Sequence, residues 1–235
     1  MKIKNNITDN PILTKWQKKF LLAFAASELS DIYSFAGGTA ISAFFLEHRL
    51  SHDLDFFSSE KVSFYIPENF IKSLDFVKKA HFLKKFDRNI FNLELIDNSI
   101  LKTEFSYYPI KRINDLCIQE SLKIESFVDL LVNKLCAIAD RIDIKDFFDV
   151  YWAVKSKPDL LHKLIDLSED KCEISGISHV LQYRFLHIPK GLMELDLKVE
   201  VNEYEIENFF ENFVRNIVRV KKKNLLKGVA FEYKA

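Results

Sequence analysis

Phe35-Ala36-Gly37-Gly38-Thr39-Ala40-Ile41-Ser42, followed by His48-Arg49-Leu50-Ser51-His52-Asp53-Leu54-Asp55-Phe56-Phe57, is the stretch whose reading decides the fold. Ile32 to Ala36 is short and apolar and stops at a glycine pair, as a buried strand does. Thr39 to Glu47 is rich in small and apolar residues and reads as a helix that can lie close to a sheet. Asp53 to Phe57 then reads as a second strand, with Arg49 to Ser51 as its connection. Strand, tight turn, helix and strand in so few residues specify a sheet with a helix packed on it.

Chemistry collects on the same stretch. A Gly-Gly turn lets backbone N–H groups approach an anion closely, and Thr39 adds a hydroxyl. Alone, such a turn is only a turn. Asp53 and Asp55, however, stand i, i+2 on a strand that rises ~3.3 Å per residue, so their carboxylates share a face roughly 6–7 Å apart. That separation suits two divalent ions ~3.5–4 Å apart. Leu54 and Phe56 take the other face, toward a core. Arg49 is a partner for a carboxylate or a phosphate, and neither His48 nor His52 has metal-ligand spacing.

Working outward, the spacing of Trp16, Phe20, Ala23, Phe24 and Leu29 predicts a helix over 14–30, capped by Thr14. Residues 67–86 read as another helix, with Pro67 in its first turn. Asn89 to Ile96 and Ile100 to Tyr108 read as strands joined across Asp97-Asn98-Ser99. On the second of these, Lys102, Glu104 and Ser106 share one face. This makes Glu104 the candidate third carboxylate, with Glu94 on the partner strand as its competitor. Ser126 caps a strong helix that runs to Ile138, a further helix spans about 144–155, and Pro158 ends it. Beyond that the chain reads as helical, apart from a loop near Pro189-Lys190-Gly191, and its longest helix runs over 202–223. The expected class is therefore α+β, with a mixed sheet flanked by helices over 1–125 and an all-helical domain over 126–235.

The helical half carries its own charged set. Lys134 interrupts an otherwise apolar helix, and Arg141 lies on nearly the same face. Asp146 and Asp149 are spaced i, i+3 on the next helix. Two cations there can neutralise a triphosphate, the arginine in bidentate fashion, while the aspartates orient them or act as a base; an inter-helix salt-bridge cluster is the other reading. The tract 215–223, with Arg219 and three consecutive lysines, reads as a basic helix end opposite Glu203, Glu205 and Glu207, with RNA binding as the other reading.

The totals set bounds. In 235 residues, 48% are hydrophobic and 29% charged, an ordinary globular composition, and 34 acids balance 34 bases. A neutral chain carries no global nucleic-acid signal, although a local basic groove remains open to it. No apolar run is long enough to span a membrane, and the N-terminus lacks the apolar core of a secretory signal. Cys117, Cys136 and Cys172 suggest neither a disulfide framework nor a zinc pattern, which points to a reduced, cytoplasmic setting.

The residues quoted first, together with Lys134-Leu135-Cys136-Ala137, Arg141 and Asp146-Phe147-Phe148-Asp149-Val150-Tyr151, resemble the signature blocks of the AbiEii/AbiGii toxin family of nucleotidyltransferases. The resemblance covers about residues 33–155. It implies a nucleotidyltransferase core of the DNA polymerase β-like superfamily, with a helical domain following. It also implies metal-dependent transfer of a nucleotide from an NTP, with Mg²⁺ or Mn²⁺ as the ion. Members are typically toxins of bacterial toxin–antitoxin or phage-defence systems, and some modify tRNA. The acceptor expected here is tRNA, other RNA or a protein, and a cognate antitoxin is an expected partner. Carried over, Gly37, Gly38 and Thr39 would hold phosphate, Asp53 and Asp55 the metal, and Lys134 the nucleotide, with Asp146 or Asp149 completing the site. Gly-Thr replaces the superfamily's usual Gly-Ser and keeps the hydroxyl. The alternatives are an inactive nucleotide- or partner-binding module and a small-molecule, antibiotic-type nucleotidyltransferase.

Overall fold

A computed structural model of the chain describes the backbone of residues 1–232, while the side chains of 218 and 220–235, including the three lysines 221–223, lie outside the described residues. In chain order the elements begin with helix α1 (Lys15–Ala25), short helix α2 (Leu29–Ile32), strand β1 (Ser34–Ala36), helix α3 (Gly37–Ile41) and a π-helical turn over Ser42–Leu46. Strand β2 (Leu54–Ser58), helix α4 (Tyr65–Lys72), and strands β3 (Val77–Lys85), β4 (Arg88–Leu95) and β5 (Ile100–Tyr107) follow. After the small strands β6 (Cys117–Gln119) and β7 (Leu122–Ile124) come helices α5 (Phe127–Asp140), α6 (Ile144–Val154), α7 (Asp159–Cys172), α8 (Ile177–Phe185) and α9 (Glu203–Glu232).

Among the described residues the strands form one mixed sheet in the order β3-β4-β5-β2-β1-β7-β6. Strand β2 is its centre, antiparallel to β1 and parallel to β5. Alternation along β2 gives it two unlike faces: Leu54 and Phe56 are fully buried, while Asp55 and Phe57 are half-buried on the other side. The buried face packs on aromatic rings, with Phe56 set 4.2 Å from Phe24 and 4.9 Å from Phe105 between ring centres. Local chemistry agrees with the helix starts. Thr14 and Gln17 form a reciprocal capping box on α1, and Ser126 caps α5 by accepting from the Asp129 N–H at 3.1 Å.

Two expectations from sequence need correction, and one hairpin carried no signal there. The helix expected over 67–86 stops at Lys72, and 77–85 forms β3 instead. The segment Val-Lys-Lys-Ala-His-Phe-Leu-Lys-Lys is an edge strand exposed from Lys78 to Lys85, so neither face imprints an apolar alternation; its conformation comes from pairing with β4. The hairpin β6–β7 had no sequence signal, and β7 joins the sheet only through its parallel pairing with β1. Finally, the cysteines are not all unpaired: Cys136 of α5 and Cys172 at the end of α7 form a disulfide with Cα atoms 6.0 Å apart, and Cys117 remains free. Packing of α5 on α7 brings that pair together, and sequence spacing carries no trace of it.

Candidate active site

The two quoted blocks meet at one end of β1 and β2, where a cleft of about 600 Å³ is lined by Gly37, Gly38, Arg49, Asp53, Asp55, Glu104, Lys134, Arg141 and Asp146. Register brings the carboxylates together. Ala36 pairs with Asp55, and Asp55 pairs with Glu104 across the parallel β2–β5 ladder, so both acids point to the same face. The strand phase that singled out Glu104 is the one observed. Glu94 lies farther out, opposite Ile100 and Lys79.

Gly37 has φ +74°, and a Cβ there would lie 2.0 Å from Oδ2 of Asp55. Only a residue without a side chain allows the turn and the carboxylate to occupy this space together. A Cβ on Gly38 would lie 2.6 Å from Nη2 of Arg49 and 3.5 Å from Nζ of Lys134. The glycine pair thus forms the seam between an acidic wall and a basic one. Thr39 stands apart from both walls. It is buried, and its hydroxyl donates to the Asp53 carbonyl, tying the turn to β2 where the sequence had suggested a phosphate contact. The loop before β2 is fixed by Gln17, whose amide donates to the carbonyls of Ser51 at 2.7 Å and His52 at 3.2 Å.

On the acidic side, Asp53 accepts from Lys102 Nζ at 2.6 Å. Glu104 is held bidentately by Arg88, with Nη2 to Oε2 at 2.6 Å, and it also accepts from Ser106 Oγ at 2.8 Å. Asp55 has neither kind of support. Burial, then the Glu104 charge, then Asp53 push its pKa up to about 6. Arg88 and Lys102 were not singled out from sequence. Lys102 had the right phase, and Arg88 was obscured by the helix expected up to residue 86.

On the basic side, Lys134 Nζ lies 2.7 Å from both Asp146 Oδ1 and Asp149 Oδ2. Arg49 donates to Asp149 through Nε at 2.7 Å and Nη2 at 2.9 Å, and Arg141 donates to Asp146 through Nε at 2.9 Å. Three cations share two buried carboxylates, which leaves an excess positive charge beside Gly38. Paired cations hold both Asp146 and Asp149 below the usual carboxylate range despite burial, so they are permanent anions that position Lys134, Arg49 and Arg141. His48 is fully buried against Phe148 and Trp152, and its Nε2 lies 2.8 Å from Asp149 Oδ1. Burial lowers its pKa, so the neutral ring donates from Nε2, and Nδ1 is left without a partner. It supports Asp149, in keeping with its structural reading from sequence.

The residues fit a divalent cation by donor chemistry. Asp53, Asp55 and Glu104 bring hard carboxylate oxygens to one cleft, and Asp55 is raised by its like-charged neighbours. With Asp53 drawn to Lys102 and Glu104 to Arg88, the described residues hold no group of three or more such side chains already converged on one point. A larger cleft of about 1180 Å³ between α6, α7, α8 and α9 is floored by Tyr151, Phe209 and Phe213 and contains none of these acids.

Known proteins share the family and the fold. Residues 19–233 match the family model of the nucleotidyl transferase AbiEii toxin, type IV TA system. No curated protein sequence matches. Among solved structures the chain resembles JHP933 from Helicobacter pylori, with a TM-score of 0.57 at 19% identity over 93% of this chain and 95% of that one. It also resembles MenT4, a nucleotidyltransferase toxin from Mycobacterium tuberculosis, with a TM-score of 0.56 at 13% identity over 83% and 79%. At these identities the likenesses establish the fold, a mixed sheet with flanking and following helices. The family match extends well beyond the two signature blocks, and the chain belongs to the AbiEii family of nucleotidyltransferase toxins.

Proposed function

We propose that the protein transfers a nucleoside monophosphate from an NTP to a hydroxyl of an RNA acceptor, tRNA foremost, and that Mg²⁺ or Mn²⁺ is required. The observation that carries this reading is the unsupported Asp55 carboxylate wedged against Gly37, with Asp53 and Glu104 beside it and an excess of cations across Gly38. In this reading Asp53, Asp55 and Glu104 hold the metal, which when bound acidifies the acceptor hydroxyl and offsets charge on the phosphates. Gly37 and Gly38 let the acids and the cations close on one seam, where the triphosphate would lie. Lys134 has three N–H donors and uses two on Asp146 and Asp149, leaving one for phosphate. Arg141, about half exposed, offers the remaining donors of its guanidinium, and Arg49 stiffens the wall behind Gly38.

Chemically, the acceptor oxygen bonds to the α-phosphorus, the α–β bond breaks, pyrophosphate leaves with the bonding electrons, and the hydroxyl proton passes to solvent. Residues 1–125 supply the acids and the glycine turn, and 126–235 act as a helical domain that supplies Lys134 and its partners. The proposed activity is a cytoplasmic one, because it draws on NTP and RNA rather than on the cysteines, two of which are joined. The type IV toxin–antitoxin family supports a cognate antitoxin, and phage defence is the proposed role. The described helices include none long and apolar enough to cross a membrane.

The test is incubation with total tRNA and each NTP, labelled at either the α- or the γ-phosphate, with and without EDTA. Label retained on RNA from the α position alone, and lost with EDTA, is the expected result. Retention from the γ position would make the enzyme a kinase, and labelled protein in place of RNA would reassign the acceptor.

A further inference from the structure

The sheet continues past the acids. Following the register outward from Asp55 leads to Glu104, Ile90 and Leu83, and from Phe57 to Ser106, Arg88 and Lys85. Cross-strand neighbours share a face. The face that carries Asp53 and Asp55 therefore carries Lys79, His81, Leu83 and Lys85 on β3, three strand spacings or ~14 Å from β2. Every residue from Lys78 to Lys85 is exposed. Lys79 and Lys85 lie ~20 Å apart along the strand. Among the described ion pairs neither lysine has an acidic partner, whereas Arg88 and Lys102, nearer the acids, do.

The hairpin tip adds a second observation. Phe86 joins β3 to β4 with φ 53°, a left-handed conformation in which a bulky side chain is costly and Gly or Asn is the usual occupant. The residue is 87% exposed and lines the same cleft as Asp53 and Asp55. Lysines on an edge strand also discourage sheet-to-sheet pairing, but that role gives no account of an exposed aromatic held in a strained turn at the cleft. Lys79, which stands opposite Glu94 in the register without an ion pair to it, Lys85 at the other end of the strand, and an exposed ring beside the acids of the cleft together make a single-strand binding surface.

We propose that the β3–β4 face binds a single-stranded segment of the RNA acceptor, with a base stacked on Phe86 and phosphates along Lys85 and Lys79. The ~20 Å between the two lysines spans several phosphates of a single strand. The proposal deepens the nucleotidyl-transfer reading and rests on it for the identity of the acceptor.

Binding is measured without NTP, so that it does not depend on catalysis: fluorescence anisotropy of a 5′-labelled single-stranded RNA with a free 3′-hydroxyl, over a series of salt concentrations. For Lys79→Gln/Lys85→Gln, loss of two phosphate contacts makes the log–log salt slope shallower by about 1.4, which is about 7-fold less weakening between 50 and 200 mM salt. Thermal unfolding and Mg-NTP affinity of that variant stay at wild-type values. Phe86→Asn suits the turn but removes the ring, and it weakens RNA binding by about 5- to 150-fold with a nearly unchanged salt slope. Wild-type affinity and slope in the lysine variant would overturn the proposal, as would a wild-type protein that binds no RNA and labels a protein instead. RNA bound through β3 without any transfer would refute the enzymatic reading alone. Transfer to RNA with an unchanged KM for RNA in the lysine variant would refute the surface alone.

Discussion

Replacing Asp55 with Asn should stabilise the metal-free protein, by an amount that grows with pH. Burial and the neighbouring charges of Glu104 and Asp53 raise the Asp55 carboxyl from 3.8 to about 6. A carboxyl raised in the folded state favours folding while protonated, and that contribution is lost as pH rises through about 6. The two values imply a cost of about 0.5 kcal/mol at pH 4 and about 3 kcal/mol at pH 8 for keeping Asp55 ionised in the fold. Asp55→Asn removes that titration, so its stability relative to wild type should rise by about 2.5 kcal/mol across the range. Urea unfolding in EDTA, with m held equal between the proteins, measures the difference directly. At pH 8 the corresponding gain in Tm is about 6–12 °C for a chain of this size. Mg²⁺ should raise the Tm of the wild type more than that of the variant. A stability difference that stays constant from pH 4 to pH 8, or one that favours wild type as pH rises, would refute the reasoning.

The other charged clusters respond differently. Asp149→Ala leaves buried Arg49 and Lys134 short of a shared counterion and should cost about 3–5 kcal/mol in urea unfolding, a change that Asp149→Asn only partly avoids. Glu125 is 3% exposed, accepts from Asn133 Nδ2 at 2.6 Å, and is raised by burial to about 7. Glu125→Gln should therefore gain on wild type as pH rises through about 7, by roughly 3 kcal/mol at pH 9, and a pH-independent difference would contradict this assignment. The two glycines should separate. Gly37→Ala meets both a positive φ and the Asp55 carboxylate, and should lose about 2 kcal/mol or more of stability. Gly38→Ala clashes only with the Arg49 side-chain tip and touches Ser51 and Lys134 at ordinary contact distance; it should fold and show weakened Mg-NTP binding by calorimetry.

Much of this site could be read before any coordinates because it depends on short-range rules. Two-residue periodicity put Asp53 with Asp55 and Glu104 with Lys102, and the parallel β2–β5 register then joined the pairs. The i, i+3 spacing of Asp146 and Asp149 put both on the α6 face that meets Lys134. What stayed hidden depends on distant partners. Residues 77–85 carry lysines on both faces, so nothing local distinguishes an edge strand from a solvated helix until β4 pairs with it. The same ambiguity hides Arg88, the first residue of β4. The Thr39 hydroxyl could not be assigned to the Asp53 carbonyl without knowing how closely α3 approaches β2. The Cys136–Cys172 link likewise follows from the packing of α5 on α7, which no spacing announces.

The central claim is that the carboxylates of β2 serve phosphoryl chemistry rather than structure alone. Its most direct test is transfer from an α-labelled NTP to total tRNA by the wild-type protein and by Asp53→Ala/Asp55→Ala, after circular dichroism has shown both to be folded. The account predicts labelled RNA with the wild type and none above background with the double variant. Equal labelling by the two proteins would contradict it.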